Sequence, residues 1–123
     1  MSDYKFVRFT KTGSKGSYNI STNASYSFGL LSGFYSKENI SKYKKAVLFF
    51  DKKNNAVAFS FTNDENAEGA FAITHGKNTG SVSCRSFFLE NELKQEQYLG
   101  KRVPRKITDE KLGALYVVDL VVN

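Results

Sequence analysis

The chain carries one succession of patterns twice. A glycine-serine loop, an alternating stretch, a helix-like stretch and a hairpin on an aspartate turn run from Phe6 to Phe61 and again from Ala70 to Val121, within copies spanning 4–62 and 70–122. Asp51-Lys52-Lys53-Asn54-Asn55-Ala56-Val57 aligns without gaps to Asp109-Glu110-Lys111-Leu112-Gly113-Ala114-Leu115. Gly13-Ser14-Lys15-Gly16-Ser17 echoes Gly76-Lys77-Asn78-Thr79-Gly80-Ser81. A unit of this size cannot bury its own apolar face, so the two must share a core or each must pair with a second chain. The alignment predicts Val57 and Leu115 at equivalent buried positions.

A length of 123 residues fits one domain, 1–123, whose two halves share a core. The 11 Phe and 7 Tyr argue for packing and against disorder. No apolar run approaches the roughly 18 residues of a membrane span. Met1-Ser2-Asp3-Tyr4-Lys5 is polar, with no hydrophobic block behind it. A cytoplasmic protein without a membrane partner is therefore expected. Cys84, the one cysteine, excludes an internal disulfide and a cysteine-based zinc site. Its alternation with Val82 places it in the core.

Alternation predicts strands over Tyr4–Lys11, Lys44–Asp51, Ala56–Thr62, Ala70–Thr74, Ser81–Arg85, Val103–Thr108 and Ala114–Val122. A short strand with Tyr18 and Ile20 facing inward precedes a helix opening over Asn23–Leu31, capped by Asn23 or Ser25. Ser36-Lys37-Glu38-Asn39 begins a further helical turn. Ser86–Gln97 is the best helix, with Ser86 as its cap and Gly100 as its end. Asn54-Asn55 supplies a turn that tolerates positive φ, and Asn63–Gly69 is an acidic connector between the halves. Pro104, the only proline, marks an edge. The fold class read from these elements is α+β, β-rich, with two β-β-α-β-β units forming a pseudo-symmetric compact domain.

The net charge of +6 is unevenly placed. Residues 1–63 hold 10 Lys and Arg against 3 Asp and Glu, whereas residues 64–123 hold 8 against 9. A basic half suggests a polyanion partner. Lys5, Arg8, Lys11 and Lys15 lie on or beside the first hairpin, and Lys42, Lys44 and Lys45 precede the third strand. These seven are the candidate nucleic-acid-binding residues, able to neutralise phosphates without reading sequence. Lys101, Arg102, Arg105 and Lys106 hold the matching place in the second copy. Tyr4, Phe6 and Tyr43 are candidates for stacking on unpaired bases, although core packing accounts for most aromatics here.

The catalytic inventory is thin. His75 stands alone beside a glycine loop and reads as a solvent-facing loop histidine. The glutamates are scattered, and Gly13–Ser17 lacks the spacing of a nucleotide-binding loop. No enzyme, cofactor or metal site is expected.

The repeated order, with a glycine before the second strand and an Asp-x-Lys hairpin at the end, resembles the AbrB/MazE-type swapped-hairpin barrels. Gly16–Ser21, Val47–Asp51 and Ala56–Phe59 carry the likeness in the first copy. Gly80–Ser83, Tyr98–Val103 and Ile107–Tyr116 carry it in the second. Two copies in one chain resemble the MraZ arrangement. That likeness implies a DNA-binding regulator, often dimeric, using basic residues of the first hairpin. The proline that usually opens the helix is absent, as is the arginine-rich helix of MraZ proteins. Read from Lys45, four strands and a helix ending near Lys94 resemble instead one repeat of the Whirly, Pur-alpha and positive-cofactor group, which implies single-stranded nucleic acid. The expected function is non-catalytic nucleic-acid binding, DNA before RNA, with a homodimer possible. The alternative is a protein–protein adaptor or antitoxin-like module whose acidic second half meets a basic partner.

Overall fold

The computed structural model describes residues 17–120. The strand expected over Tyr4–Lys11 lies outside them. The chain opens with a hairpin, β1 (Ile20–Asn23) and β2 (Ser27–Leu30), followed by helix α1 (Ser32–Lys37) and a 3-10 turn at Ile40–Lys42. A second hairpin, β3 (Lys45–Asp51) and β4 (Ala56–Thr62), completes the first half. The second half runs β5 (Phe71–His75), β6 (Gly80–Ser83), α2 (Arg85–Glu90), a 3-10 turn at Gln95–Gln97, β7 (Gly100–Arg102), β8 (Arg105–Asp109) and β9 (Gly113–Asp119).

Among the described residues, nine strands form one antiparallel sheet in the order β7-β1-β2-β6-β5-β3-β4-β9-β8. Its two outermost strands, β7 and β8, are separated in the chain only by Val103 and Pro104. The sheet therefore curls until its ends meet at that corner. Pro104, which cannot donate to a ladder, stands where the chain leaves β1 and joins β9. β1 pairs with β7, β2 with β6 and β5 with β3, so strands of the first half are laddered to strands of the second.

The core is aromatic. Phe34 of α1, Phe88 of α2, Phe28 of β2 and Phe59 of β4 are fully buried. Phe28 meets Phe59 edge-on at 5.0 Å between centroids and stacks on Phe88 at 5.2 Å. Such pairs each add about 0.5–1.5 kcal/mol beyond the area they bury. Cys84 is buried, and burial pushes its thiol up to about 12.

Several sequence expectations are corrected. Asn23–Leu31 is a hairpin end and a strand, with no helix opening. Phe28 and Leu30 alternate with Ser27 and Gly29, and β1 and β6 offer ladder partners on both sides. Tertiary pairing thus overrides a weak helical pattern that already contained Gly29. Helix α2 begins one residue before Ser86, with Cys84 at its cap position and no side-chain cap bond. It stops at Glu90 because Glu92 adopts φ 57 and the Leu93 amide donates to the Phe88 carbonyl at 2.8 Å. Gly100 begins β7 at φ 123 instead of terminating a long helix.

The hairpin alignment also needs a one-residue correction. Asn55 and Gly113 both take positive φ, at 52° and 81°, as the gap-free match requires. However, Asp51 pairs with Ala56 across four turn residues, whereas Asp109 pairs with Gly113 across three. A slip of one reverses which side chains face inward. Val57 and Leu115 are both buried, as expected, but on opposite faces of the sheet: Val57 lies in the main core, and Leu115 lies beside Ile107 and Val117.

Candidate nucleic-acid interface

The segment from α1 to β3 carries Lys42, Lys44 and Lys45, the candidate binding residues that fall within the described part of the chain. Helix α1 ends at Lys37 with Glu38 at its C-cap, Asn39 reverses the chain at φ 55, and fully buried Ile40 anchors the following 3-10 turn. Lys42 closes that turn, and Tyr43 and Lys44 then lead into β3, with Tyr43 extended at φ −106, ψ 146. Asn63 clamps this tripeptide, donating from Nδ2 to the Lys42 carbonyl and accepting the Lys44 amide at Oδ1, both at 2.8 Å. The Lys44 carbonyl accepts the Ile73 amide at 2.9 Å. The Tyr43 carbonyl accepts from His75 Nε2 at 2.7 Å. The backbone is therefore fixed at four points while the Lys42 and Lys44 side chains remain exposed.

His75 is not a loop residue. It ends β5, and although exposed it spans two elements. A carbonyl only accepts, so Nε2 carries the hydrogen given to Tyr43. In the neutral ring, Nδ1 accepts the hydroxyl of Tyr35 on α1, 2.7 Å away. The histidine works as a brace between α1 and the basic tripeptide.

The sequence-predicted site residues separate into groups. Lys5, Arg8, Lys11 and Lys15 lie outside the described residues. Lys42 and Lys44 stand on the clamped segment, with the Lys42 ammonium 5.2 Å from the centroid of the Tyr43 ring. Tyr43 is half-buried against Phe61, at 6.1 Å, so its ring belongs partly to the core. Lys45 is half-buried and donates to the Glu65 carbonyl in the connector at 3.3 Å. Among the matching cations of the second half, Arg105 pairs with Asp119 at 3.0 Å and Lys106 approaches Glu38 at 3.6 Å. Arg102 is half-buried and donates to Thr22 Oγ1 at 3.4 Å.

Glu38 is a node that the sequence did not reveal. Its side chain is 10% exposed and accepts the hydroxyls of Tyr18 at 2.8 Å and Tyr116 at 2.9 Å. Burial opposes its ionisation, but these two hydrogen bonds and Lys106 outweigh burial and hold the carboxyl below its ordinary value. Burial and the Glu38 carboxylate push Tyr18 up to about 12 and raise Tyr116 further. The partners are 20 and 78 residues away, so no local motif signals them.

Two concavities flank these features. A polar cleft of about 660 Å³ lies between the α1–Ser41 segment and the β5–β6 loop. An apolar groove of about 500 Å³ lies on the β3-β4-β9-β8 face, lined by Phe49, Ala58, Ile107, Leu115 and Val117 with Arg105 and Asp119 at its rim. Among the described residues no group of three or more His, Cys, Asp and Glu could hold a metal ion. No helix among them is long and apolar enough to cross a membrane. No protein-family model, curated protein or solved structure matches this chain.

Proposed function

We propose that the chain is a non-catalytic nucleic-acid-binding protein, with DNA as the preferred partner, built from two duplicated β-β-α-β-β units. The observation that carries the reading is the Lys42-Tyr43-Lys44 segment. Its backbone is held rigid by Asn63, His75 and Ile73, and two of its side chains are exposed cations. Fixing the backbone beforehand lowers the ordering cost of binding a polyanion. The excess of cations in residues 1–63 adds long-range attraction.

The duplication reading is supported by matched details. Each six-residue helix ends on a residue at φ −95, ψ 6, then on a left-handed residue, Asn39 or Glu92, and leads to a 3-10 turn. The exchanged pairings of β1 with β7 and β5 with β3 map onto each other under the same correspondence. Both points support the swapped-hairpin likeness over the four-strand repeat, which leaves α1 without a counterpart.

Fluorescence anisotropy with labelled duplex and single-stranded DNA over a salt series tests the function. Affinity should fall steeply with salt, by close to one unit of log–log slope per phosphate contact. Absence of binding at low salt would refute the proposal. The adaptor alternative is favoured by one observation, the apolar groove, whose lining also includes Asp51 and the Arg105–Asp119 pair and which suits an apolar segment of a partner with a basic residue near Asp51.

A further inference from the structure

The polar cleft has a composition unlike the rest of the second half. Ser36, Asn39 and Ser41 line one wall, and His75, Lys77 and Asn78 line the other. No carboxylate lines it, although acids outnumber cations in residues 64–123. His75 spends both ring nitrogens on Tyr35 and the Tyr43 carbonyl, so it shapes the wall. The other five side chains make no hydrogen bond or ion pair within the described residues. They offer an ammonium, two hydroxyls and two amides to whatever enters. A metal ion would find no carboxylate there, and a cationic ligand would meet Lys77. An oxyanion finds donors on both walls, and the β5–β6 loop is held closed by the Gly76 amide donating to the Thr79 carbonyl at 2.8 Å. His75, through the Tyr43 carbonyl, also ties the cleft to the segment carrying Lys42 and Lys44.

We infer that this cleft is a discrete phosphate-binding subsite, seating one backbone phosphate of a nucleic-acid strand whose neighbouring phosphates meet Lys42 and Lys44. The inference deepens the nucleic-acid reading and rests on it for the identity of the ligand. Lys77 supplies the charge, and the hydroxyls of Ser36 and Ser41 supply directional donors. Hydrogen bonds to an ionised oxygen are stronger than neutral ones, so the hydroxyls contribute beyond simple attraction.

The test uses the full chain and an oligothymidylate of roughly ten nucleotides, with and without a 5′-phosphate. Lys77→Ala should weaken binding several-fold and lower the salt slope by about one unit. Ser36→Ala with Ser41→Ala, which changes no charge, should also weaken binding several-fold while leaving the slope unchanged. Equal affinity for the two oligonucleotides assigns the subsite to an internal phosphodiester, and tighter binding of the phosphorylated one overturns that assignment in favour of a strand end. If the serine pair has no effect while Lys77→Ala does, binding is diffuse electrostatics; the subsite is overturned and the nucleic-acid reading survives. If the unaltered chain binds neither these oligonucleotides nor duplex DNA at low salt, the nucleic-acid reading fails; binding of duplex alone overturns the seating of a single strand in the cleft and leaves that reading standing. Titration with inorganic phosphate, followed by amide shifts of Gly76–Thr79, then decides the cleft: saturable shifts support an oxyanion site, and their absence overturns it.

Discussion

At the scale of single residues, Glu38 ties the fold to pH. Its folded carboxyl sits below the ordinary value of 4.5, so its stabilisation is present above that value and is lost as pH falls through the folded one. Glu38→Gln should therefore lower the urea midpoint near pH 7 and flatten its acid dependence. The loss should be about 1–3 kcal/mol, since the partly buried hydroxyl bonds of Tyr18 and Tyr116 keep only a neutral acceptor. Equal midpoint losses near pH 7 and near pH 3 would rule out this role. Tyr18 supplies a spectroscopic counterpart. Burial and the carboxylate push it up to about 12, so ultraviolet titration should find it still protonated where free tyrosine ionises, and Glu38→Gln should bring its transition down.

At the scale of elements, Gly80 controls how α1 meets the β5–β6 hairpin. A Cβ there would stand 3.2 Å from Tyr35 Cε1 and 3.3 Å from Ile73 Cγ2. Both atoms belong to buried side chains with little room to retreat. Gly80→Ala should cost about 1–3 kcal/mol by overpacking. It should also disturb the Tyr35–His75 hydrogen bond, visible as a changed imidazole nitrogen shift. An alanine variant with unchanged stability and an unchanged histidine signal would show that the helix is free to move away. Gly113 is a different case, because nothing lies within 4 Å of its Cβ position while its φ is 81°. Gly113→Ala should cost about 1 kcal/mol from backbone strain alone, leaving neighbouring side chains in place.

At the scale of the whole molecule, the ladders that join β1 to β7 and β3 to β5 make the two halves interdependent. Residues 1–66 alone would leave β1 without β7 and β3 without β5, and residues 67–123 would suffer the same loss. Neither fragment should show cooperative unfolding by circular dichroism. An equimolar mixture should recover it, because every ladder is then available. A first fragment that unfolds cooperatively alone would show that the halves are separate domains.

What the sequence determined by itself is what local physics governs. The alternation of Val57, Phe59 and Phe61 makes β4 recognisable, and the asparagine and glycine at positions 55 and 113 set two turns with positive φ. The division of charge between the halves is likewise legible before folding. Tertiary structure decided the rest. Phe28 and Leu30 became strand because two neighbouring edges needed pairing, and helix α2 ended early because Leu93 had to enter the core. Leu115 faces away from Val57 because one turn is a residue shorter, a difference that neither hairpin displays in its own alternation. Glu38, Asn63 and His75 gained their roles from partners 19 to 78 residues distant. Side-chain periodicity is a property of neighbours along the chain, whereas a clamp or a cleft exists only after the curled sheet has brought distant segments within hydrogen-bonding reach.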